Sequence, residues 1–313
     1  MGVGHRGHRA HPRHAAFIYR GDPEYVAGVG GFVRAALTRD EAVLVAVPGR
    51  RIGVLRDYLD GGARRVMFTD MTRLGRNPAR IMSAVQNLLG RHPGQRVSYV
   101  GEPAWPGRGQ PELREAIRHE AMINLACAGL PADILCPYDE AGLPAAVMAG
   151  AARTHPVLTR PGGSRASGGY LGAGQIPADC QRPLPAPPPA AVRLEYEGNL
   201  RPVRALVASR AAAAGLSERR LPDLVLAVSE VAANTVAHVG GPGTLHVWQE
   251  AGEIVCQLGD GGWITDPLAG RWRPGPGEAG GQGLWVVNQV CDLVEVRTGR
   301  SGTTIRLRMS LPG

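Results

Sequence analysis

The stretch LAVSEVAANTVAH, residues 226–238, decides how the C-terminal part of this chain is interpreted. Glu230, Asn234 and His238 recur every four residues, which places them on one face of a helix. Val, Ala and Leu fill the positions between them, as in a helix whose opposite face is buried. An amide oxygen suits a hydrated Mg²⁺, and a neighbouring carboxylate can orient or deprotonate a hydroxyl. The stretch therefore predicts a cation-dependent site, although an ordinary solvated helix face has the same pattern.

Two glycine-containing motifs follow in the same region. LGDGG, residues 258–262, ends a predicted strand, and its Asp260 can accept a hydrogen bond from the amine of an adenine ring while Gly262 lets the base approach. A plain hairpin turn is the alternative, since Asp-Gly is a common turn dipeptide. GGQGL, residues 280–284, precedes an apolar helix, where free N–H groups and the helix dipole favour phosphate. Each motif is weak by itself.

The order of these motifs is more specific than any one of them. E-x-x-x-N on a helix, D-x-G after a strand, G-x-G-L before a helix and Gly302-Thr303 on the last strand resemble the GHKL (Bergerat-type) ATPases. The resemblance covers residues 192–313 and implies an α+β two-layer sandwich that binds ATP and Mg²⁺. It implies Glu230 as the catalytic carboxylate, Asn234 as the Mg²⁺ ligand, and nucleotide contacts from Asn234, His238, Asp260, Gly262, Gly281, Gly283, Leu284 and Thr303.

Features missing from the chain suggest a branch of that family. A proline-rich segment stands where a sensor histidine kinase would carry its phosphoacceptor helices. The A-x-S-E-x-x-x-N-x-x-x-H segment is more similar to the anti-sigma-factor serine/threonine kinases. That resemblance implies phosphorylation of an anti-anti-sigma protein, binding of a sigma factor, or both. A non-catalytic, nucleotide-dependent switch and an atypical histidine kinase are the alternatives.

The N-terminal part has a different order of predicted secondary-structure elements. Strand-like and helix-like segments alternate from residue 14, and EAVLVAVP, residues 41–48, is nearly continuously apolar, as in a buried parallel strand. Seven segments characterise this domain: HAAFIY (14–19), EAVLVAVP (41–48), FTDM (68–71), GRNP (75–78), GEPAWPG (101–107), RHEAM (118–122) and CPYD (136–139). Together these segments resemble the MEDS sensory family, and the resemblance implies a RecA-like α/β fold that senses a small molecule.

Strand ends of a parallel sheet are the usual position for a ligand. Polar and aromatic side chains near those ends are therefore candidates for the sensing site, with local packing and solvated helix charges as the alternative. These candidates are His14, Glu102, Trp105, Arg118, His119 and Glu120.

Composition sets the domain boundaries. Residues 1–13 are polar and basic and predict a disordered tail. His5, His8, His11 and His14 recur every third residue, which could indicate a metal-binding tract, but no carboxylate or cysteine stands beside them, and coincidental spacing is favoured. A sensory domain over 14–160 is followed by a Gly- and Pro-rich linker over 161–191, which cannot bury a core. The ATPase domain then occupies 192–313.

Residue usage narrows the function classes. The chain has no lysine, which excludes a Walker A loop and Schiff-base chemistry. Its five cysteines lack C-x-x-C spacing, and no apolar run is long enough to span a membrane, so a cytoplasmic protein is expected. The net charge of +8 is dispersed, which argues against direct nucleic-acid binding. Homodimerisation stays open.

Overall fold

A computed structural model describes residues 13–275 and 281–312, and it divides into two compact units. Of the described residues, the first unit comprises 13–73, 87–108 and 120–175, and the second comprises 74–86, 109–119, 176–275 and 281–312. The predicted tail of residues 1–12, with His5, His8 and His11, lies outside the described residues.

Strands and helices alternate in the N-terminal half. Its strands are β1 (Arg13–Tyr19), β2 (Ala42–Val47), β3 (Val66–Asp70), β4 (Val97–Gly101), β5 (Ala132–Asp139), β6 (Val157–Arg160) and β7 (Gly163–Ala166). Its helices are α1 (Gly21–Thr38), α2 (Gly49–Leu59), α3 (Met71–Leu74), α4 (Ala79–Arg91), α5 (Gln110–Ala126) and α6 (Ala145–Thr154).

The first unit contains a seven-stranded sheet in the order β3-β2-β4-β5-β1-β6-β7. Every pairing is parallel except that of β6 with β7. All six residues of β2 are buried, as its continuous apolar sequence predicts for a strand covered on both faces. The expected α/β class with a parallel sheet is confirmed.

Strand β7 differs from the expectation of an irregular linker over residues 161–191. Gly163–Ala166 pairs antiparallel with β6 at the sheet edge, and all four residues are exposed. Such a hairpin is held by main-chain hydrogen bonds and needs no apolar side chains, so composition does not reveal it.

The C-terminal half has helices and antiparallel strands. Its helices are α7 (Ala178–Gln181), α8 (Arg201–Ala213), α9 (Leu221–His238) and α10 (Gln282–Val290). Its strands are β8 (Val192–Tyr196), β9 (Gly243–Glu250), β10 (Glu253–Asp260), β11 (Leu293–Gly299) and β12 (Gly302–Ser310).

These five strands form a sheet in the order β11-β12-β10-β9-β8, with antiparallel pairing throughout. Alternate residues such as Cys256 and Leu258 of β10 lie in one core with Val228 of α9 and Val287 of α10. One face of the sheet therefore packs against the helices, which confirms the α+β class.

Candidate functional site

Helix α9 positions the carboxylate and the carboxamide. Its buried face carries Leu224, Val228 and Val231, which fixes the rotation of the helix against the sheet. Glu230 and Asn234 lie one turn apart at the border of that face and are half-buried. His238, the last residue of the helix, is exposed. Glu230 and Asn234 are therefore partly buried next to each other, whereas His238 is exposed to solvent.

Glycine at position 283 brings helix α10 against these two residues. A Cβ atom at Gly283 would lie 2.6 Å from Oε2 of Glu230 and 3.7 Å from Nδ2 of Asn234. Gly281, the N-cap of α10, has φ +78°, a left-handed conformation that glycine adopts without strain. The first N–H groups of α10 lack intrahelical acceptors and therefore suit an anion. Leu284 is buried in the adjacent core.

Asp260 is the last residue of β10, and two donors orient its carboxylate. The Thr235 hydroxyl of α9 donates to Oδ2 at 2.7 Å, and the Gly262 N–H donates to Oδ1 at 2.8 Å. The Tyr196 hydroxyl lies 3.2 Å from Oγ1 of Thr235 and continues the chain of hydrogen bonds. Each carboxylate oxygen retains acceptor capacity, so Asp260 can still accept a hydrogen bond from a ligand amine.

Thr303 supports the loop after Asp260 and not its carboxylate. It pairs with Asp260 across the sheet, but its hydroxyl donates to the Gly262 carbonyl at 2.9 Å. Oγ1 of Thr298 lies 2.7 Å from the same hydroxyl and also accepts the Ile264 N–H at 2.9 Å. The terminal threonine thus fixes the backbone path of the D-x-G turn.

A cavity of about 820 Å³ in the second unit opens beside this turn. Asp260, Gly302, Thr303 and Leu284 line it, whereas Glu230 and Asn234 do not. The cavity therefore covers the Asp260 side of the candidate site only. Residues 276–280, which precede α10 in the chain, lie outside the described residues.

The predicted sensory residues do not form one cluster. His14 and Glu120 do meet: Nε2 of His14 lies 2.9 Å from Oε2 of Glu120, and both side chains are buried. Sequence reasoning missed Cys136 and His155, which lie at the same place.

Glu102 belongs to a separate buried group. The hydroxyls of Tyr19 and Tyr25 donate to its two carboxylate oxygens at 3.3 and 3.1 Å. Burial raises the pKa of Glu102 to about 7, against the opposing effects of Arg51 and the tyrosine hydroxyls. Trp105 is half-buried, and the Arg108 guanidinium lies 4.3 Å from its ring centroid. Local packing accounts for this tryptophan.

Arg118 and His119 belong to the second unit. Arg118 lies 3.3 Å from the Glu115 carboxylate and donates to the Val296 carbonyl at 3.1 Å. Arg297 donates to the same carboxylate at 2.8 Å, and Arg271 lies 3.5 Å from it. Burial lowers the pKa of Arg271 to about 10, so it still carries its charge at neutral pH. Arg118 is therefore part of an internal ion-pair network, and His119 is buried beside it.

Comparison with known families agrees with these two architectures. Residues 13–156 match the family model of MEDS, the methanogen/methylotroph DcmR sensory domain. Residues 192–309 match the model of the histidine kinase-like ATPase domain. The chain thus has a MEDS sensory domain followed by an ATPase domain of the histidine kinase-like type, which implies ATP binding. No curated protein matches the chain. Among the described residues, no helix is both long and apolar enough to cross a membrane.

Proposed function

We propose that the ATPase domain binds ATP with Mg²⁺ and transfers phosphate to a serine or threonine of a partner protein, as an anti-sigma kinase does. The observation that carries the proposal is that Glu230 and Asn234 of α9 lie next to Gly283 of α10. Helix α9 also orients Asp260 through the hydroxyl of Thr235. One helix thereby places a carboxylate and a carboxamide against a glycine-containing helix N-terminus. Thr235, which follows Asn234 in α9, donates to Asp260, the carboxylate suited to adenine.

The residues fit the cofactor. A Cβ at position 283 would lie 2.6 Å from Oε2 of Glu230, so glycine lets the first turn of α10 approach that carboxylate closely. The free N–H groups of that turn suit a phosphate. Asn234 offers an amide oxygen, the ligand type that Mg²⁺ prefers. The chain has no lysine, so backbone N–H groups, Mg²⁺ and arginine must balance the phosphate charge.

Each residue then has a defined role. Bound ATP supplies the phosphoryl group. Asp260 selects adenine through its free acceptor capacity. Asn234 holds the cation, and Glu230 accepts the proton of the attacking hydroxyl. The partner is an anti-anti-sigma protein, a sigma factor or both, and the MEDS domain supplies the small-molecule input.

The test compares Glu230→Gln, Asn234→Ala and the surface control Glu218→Gln in the full chain. Nucleotide affinity is measured by calorimetry with and without Mg²⁺, and transfer is measured with radiolabelled ATP and purified anti-anti-sigma proteins. We expect Glu230→Gln to keep its affinity and to lose about 100-fold or more of the transfer rate, the usual contribution of a general base. Asn234→Ala should lose the Mg²⁺-dependent part of the affinity.

Three outcomes oppose the proposal. Wild type without affinity for adenine nucleotides would overturn it entirely. Partner regulation that persists unchanged in Glu230→Gln would favour a non-catalytic switch. Acid-labile phosphate on a histidine of this chain would favour a histidine kinase.

A further inference from the structure

Four side chains in the first unit converge on one buried point. His14 lies on β1, Glu120 on α5, Cys136 on β5 and His155 after α6. One donor atom from each lies within 4.8 Å of the donor atoms of the other three, and all four residues are at least 97% buried. The ATPase site uses none of them.

The tautomer of His14 is fixed by its neighbour Asn124. The amide nitrogen of Asn124 donates to the carbonyls of Glu120 and Thr154 at 3.0 and 2.7 Å, which turns its amide oxygen toward His14. That oxygen lies 3.0 Å from Nδ1 of His14 and can only accept. Nδ1 of His14 therefore carries a hydrogen, and in the neutral ring Nε2 presents a lone pair.

The same argument holds for His155. Its Nδ1 lies 2.9 Å from the Ala151 carbonyl, which can only accept. Its Nε2 lies 3.3 Å from Oε2 of Glu120 but makes no hydrogen bond with any of the described residues. A second nitrogen with a lone pair therefore lies near the carboxylate oxygen that Nε2 of His14 already approaches at 2.9 Å.

Three acceptors thus face one another in a buried site. The Cys136 thiol lies 3.3 Å from Nε2 of His14 and 3.4 Å from Oε2 of Glu120, and it can supply only one weak hydrogen. Buried polar atoms left without partners are costly. A cation at the centre would satisfy all four atoms. A dication with one carboxylate, one thiolate and two neutral imidazoles has no net charge.

We propose that His14, Glu120, Cys136 and His155 bind a divalent transition metal, with Zn²⁺ the best fit. Metal–ligand bonds of about 2.0 to 2.3 Å in a tetrahedron give ligand separations of about 3.3 to 3.8 Å. The measured separations of 2.9, 3.3, 3.3 and 3.4 Å lie near that range. Nitrogen and sulfur donors favour zinc over Mg²⁺ and Ca²⁺, which prefer oxygen.

The second layer of contacts also fits a metal site. Ligating histidines usually donate their other N–H to a carbonyl or carboxylate, which orients the ring, and both Nδ1 atoms do so here. His14 also lines a cavity of about 1550 Å³ in the first unit. Four protein ligands fill a tetrahedron, so the site is closed and ties β1, α5, β5 and the end of α6 together. Metal binding then stabilises the first unit.

The full chain without an affinity tag is stripped with a chelator and titrated with Zn²⁺, Co²⁺ and Mg²⁺. Metal content is measured by mass spectrometry, and Co²⁺ binding by its thiolate charge-transfer and visible bands. We expect one tightly bound Zn²⁺ per chain, tetrahedral Co²⁺ bands, a raised Tm with Zn²⁺ and no such changes with Mg²⁺.

The decisive comparison is Cys136→Ser with Cys127→Ser, because Cys127 is an equally buried cysteine outside the cluster. Cys136→Ser should lose the thiolate band and at least tenfold in Zn²⁺ affinity, while Cys127→Ser should match wild type. His155→Gln, which keeps a polar side chain, should also lose affinity. All three variants retain the histidines at positions 5, 8 and 11, so any zinc bound there contributes equally to each measurement.

Two results would overturn the proposal. The first is a folded wild type that binds no Zn²⁺ and shows no tetrahedral Co²⁺ spectrum. The contact between His14 and Glu120 would then be an ion pair between a protonated imidazole and a carboxylate. The second is a Cys136→Ser variant, folded by circular dichroism, with wild-type Zn²⁺ affinity and an unchanged Co²⁺ spectrum. Neither result depends on whether the ATPase domain binds nucleotide.

Discussion

The hydroxyl of Thr235 donates a 2.7 Å hydrogen bond to the carboxylate of Asp260, so helix α9 orients the residue proposed to select adenine. The same helix carries Glu230 and Asn234. A rotation or shift of α9 would therefore move the cation side and the adenine side of the site together. The hydrogen bond from the Gly262 N–H holds the other carboxylate oxygen.

Thr235→Val tests this link, because it removes the hydroxyl and keeps the shape of the buried side chain. We expect ATP affinity to fall about fivefold, which corresponds to about 1 kcal/mol for a lost hydrogen bond. Isothermal titration calorimetry measures the change. Ser229→Ala is the control, since that hydroxyl lies on the same helix and bonds the Val225 carbonyl at 2.7 Å. Equal affinities of Thr235→Val and wild type would contradict the orienting role given to Thr235.

Gly283→Ala tests the packing of α10 against the catalytic carboxylate. The new methyl group would lie 2.6 Å from Oε2 of Glu230, so the carboxylate must move away. The fold should tolerate the change, because Ala favours a helix over Gly by about 1 kcal/mol. We expect phosphoryl transfer to fall at least tenfold while the Tm stays near the wild-type value.

Gly53→Ala in α2 provides the matched control for this substitution. Gly53 is also helical, and nothing lies within 4 Å of a Cβ built there. It should leave transfer unchanged. Wild-type transfer rates in Gly283→Ala would show that the position of the Glu230 carboxylate is not critical.

The sequence predicts the residues of the ATPase site better than their contacts. The four-residue spacing of Glu230 and Asn234 follows from helix geometry, and the buried strand β2 follows from its continuous apolar sequence. The hydrogen bond between Thr235 and Asp260 cannot be predicted from the sequence, because it depends on how α9 packs on β10. A threonine on the buried face of an amphipathic helix, close to the predicted site, was the available signal.

The His14 cluster was predicted only in part for a similar reason. Its four ligands come from separate elements that are far apart in the sequence. His14 and Cys136 approach each other because β1 pairs parallel with β5, with Ala16, two residues after His14, opposite Cys136. His14 and Glu120 were predicted only as members of a wider set of polar candidates near the strand ends. Cys136 and His155 sit in apolar surroundings, where a cysteine or histidine is often only a packed side chain. Their meeting is a property of the tertiary structure.

Gly302→Ala tests the turn that holds the end of β10. Gly302 has φ +115°, and a Cβ there would lie 2.3 Å from the carbonyl oxygen of Asp260. Strain at such a position and the backbone clash should together lower the free energy of unfolding by about 2 to 4 kcal/mol. Urea denaturation measures it. Gly299→Ala, in the same hairpin and with nothing within 4 Å of its Cβ, should stay close to wild type. Equal stability of the two variants would show that the turn relaxes easily.

Glu102→Gln tests the buried carboxyl group of the first unit. Burial raises the pKa of Glu102 to about 7 from the ordinary value of 4.5, so the fold favours the protonated form. This stabilisation is fully present below about pH 4.5 and is lost as the pH rises through 7, because the folded state then gives up a proton that it held more tightly than the unfolded state. At about 1.4 kcal/mol per pH unit, the loss amounts to about 3 kcal/mol.

Glutamine keeps an acceptor for the Tyr25 hydroxyl, which donates to Glu102 at 3.1 Å, but it does not titrate. The free energy of unfolding of wild type should therefore fall between pH 5 and pH 8 relative to that of Glu102→Gln. Using the difference between the two proteins removes the contribution of other groups such as His155, whose pKa burial lowers and whose effect on stability has the opposite sign. Denaturant titrations at half-unit pH steps measure this difference. A difference that is constant with pH would mean that Arg51 and the two tyrosines keep Glu102 ionised in the folded protein throughout this range.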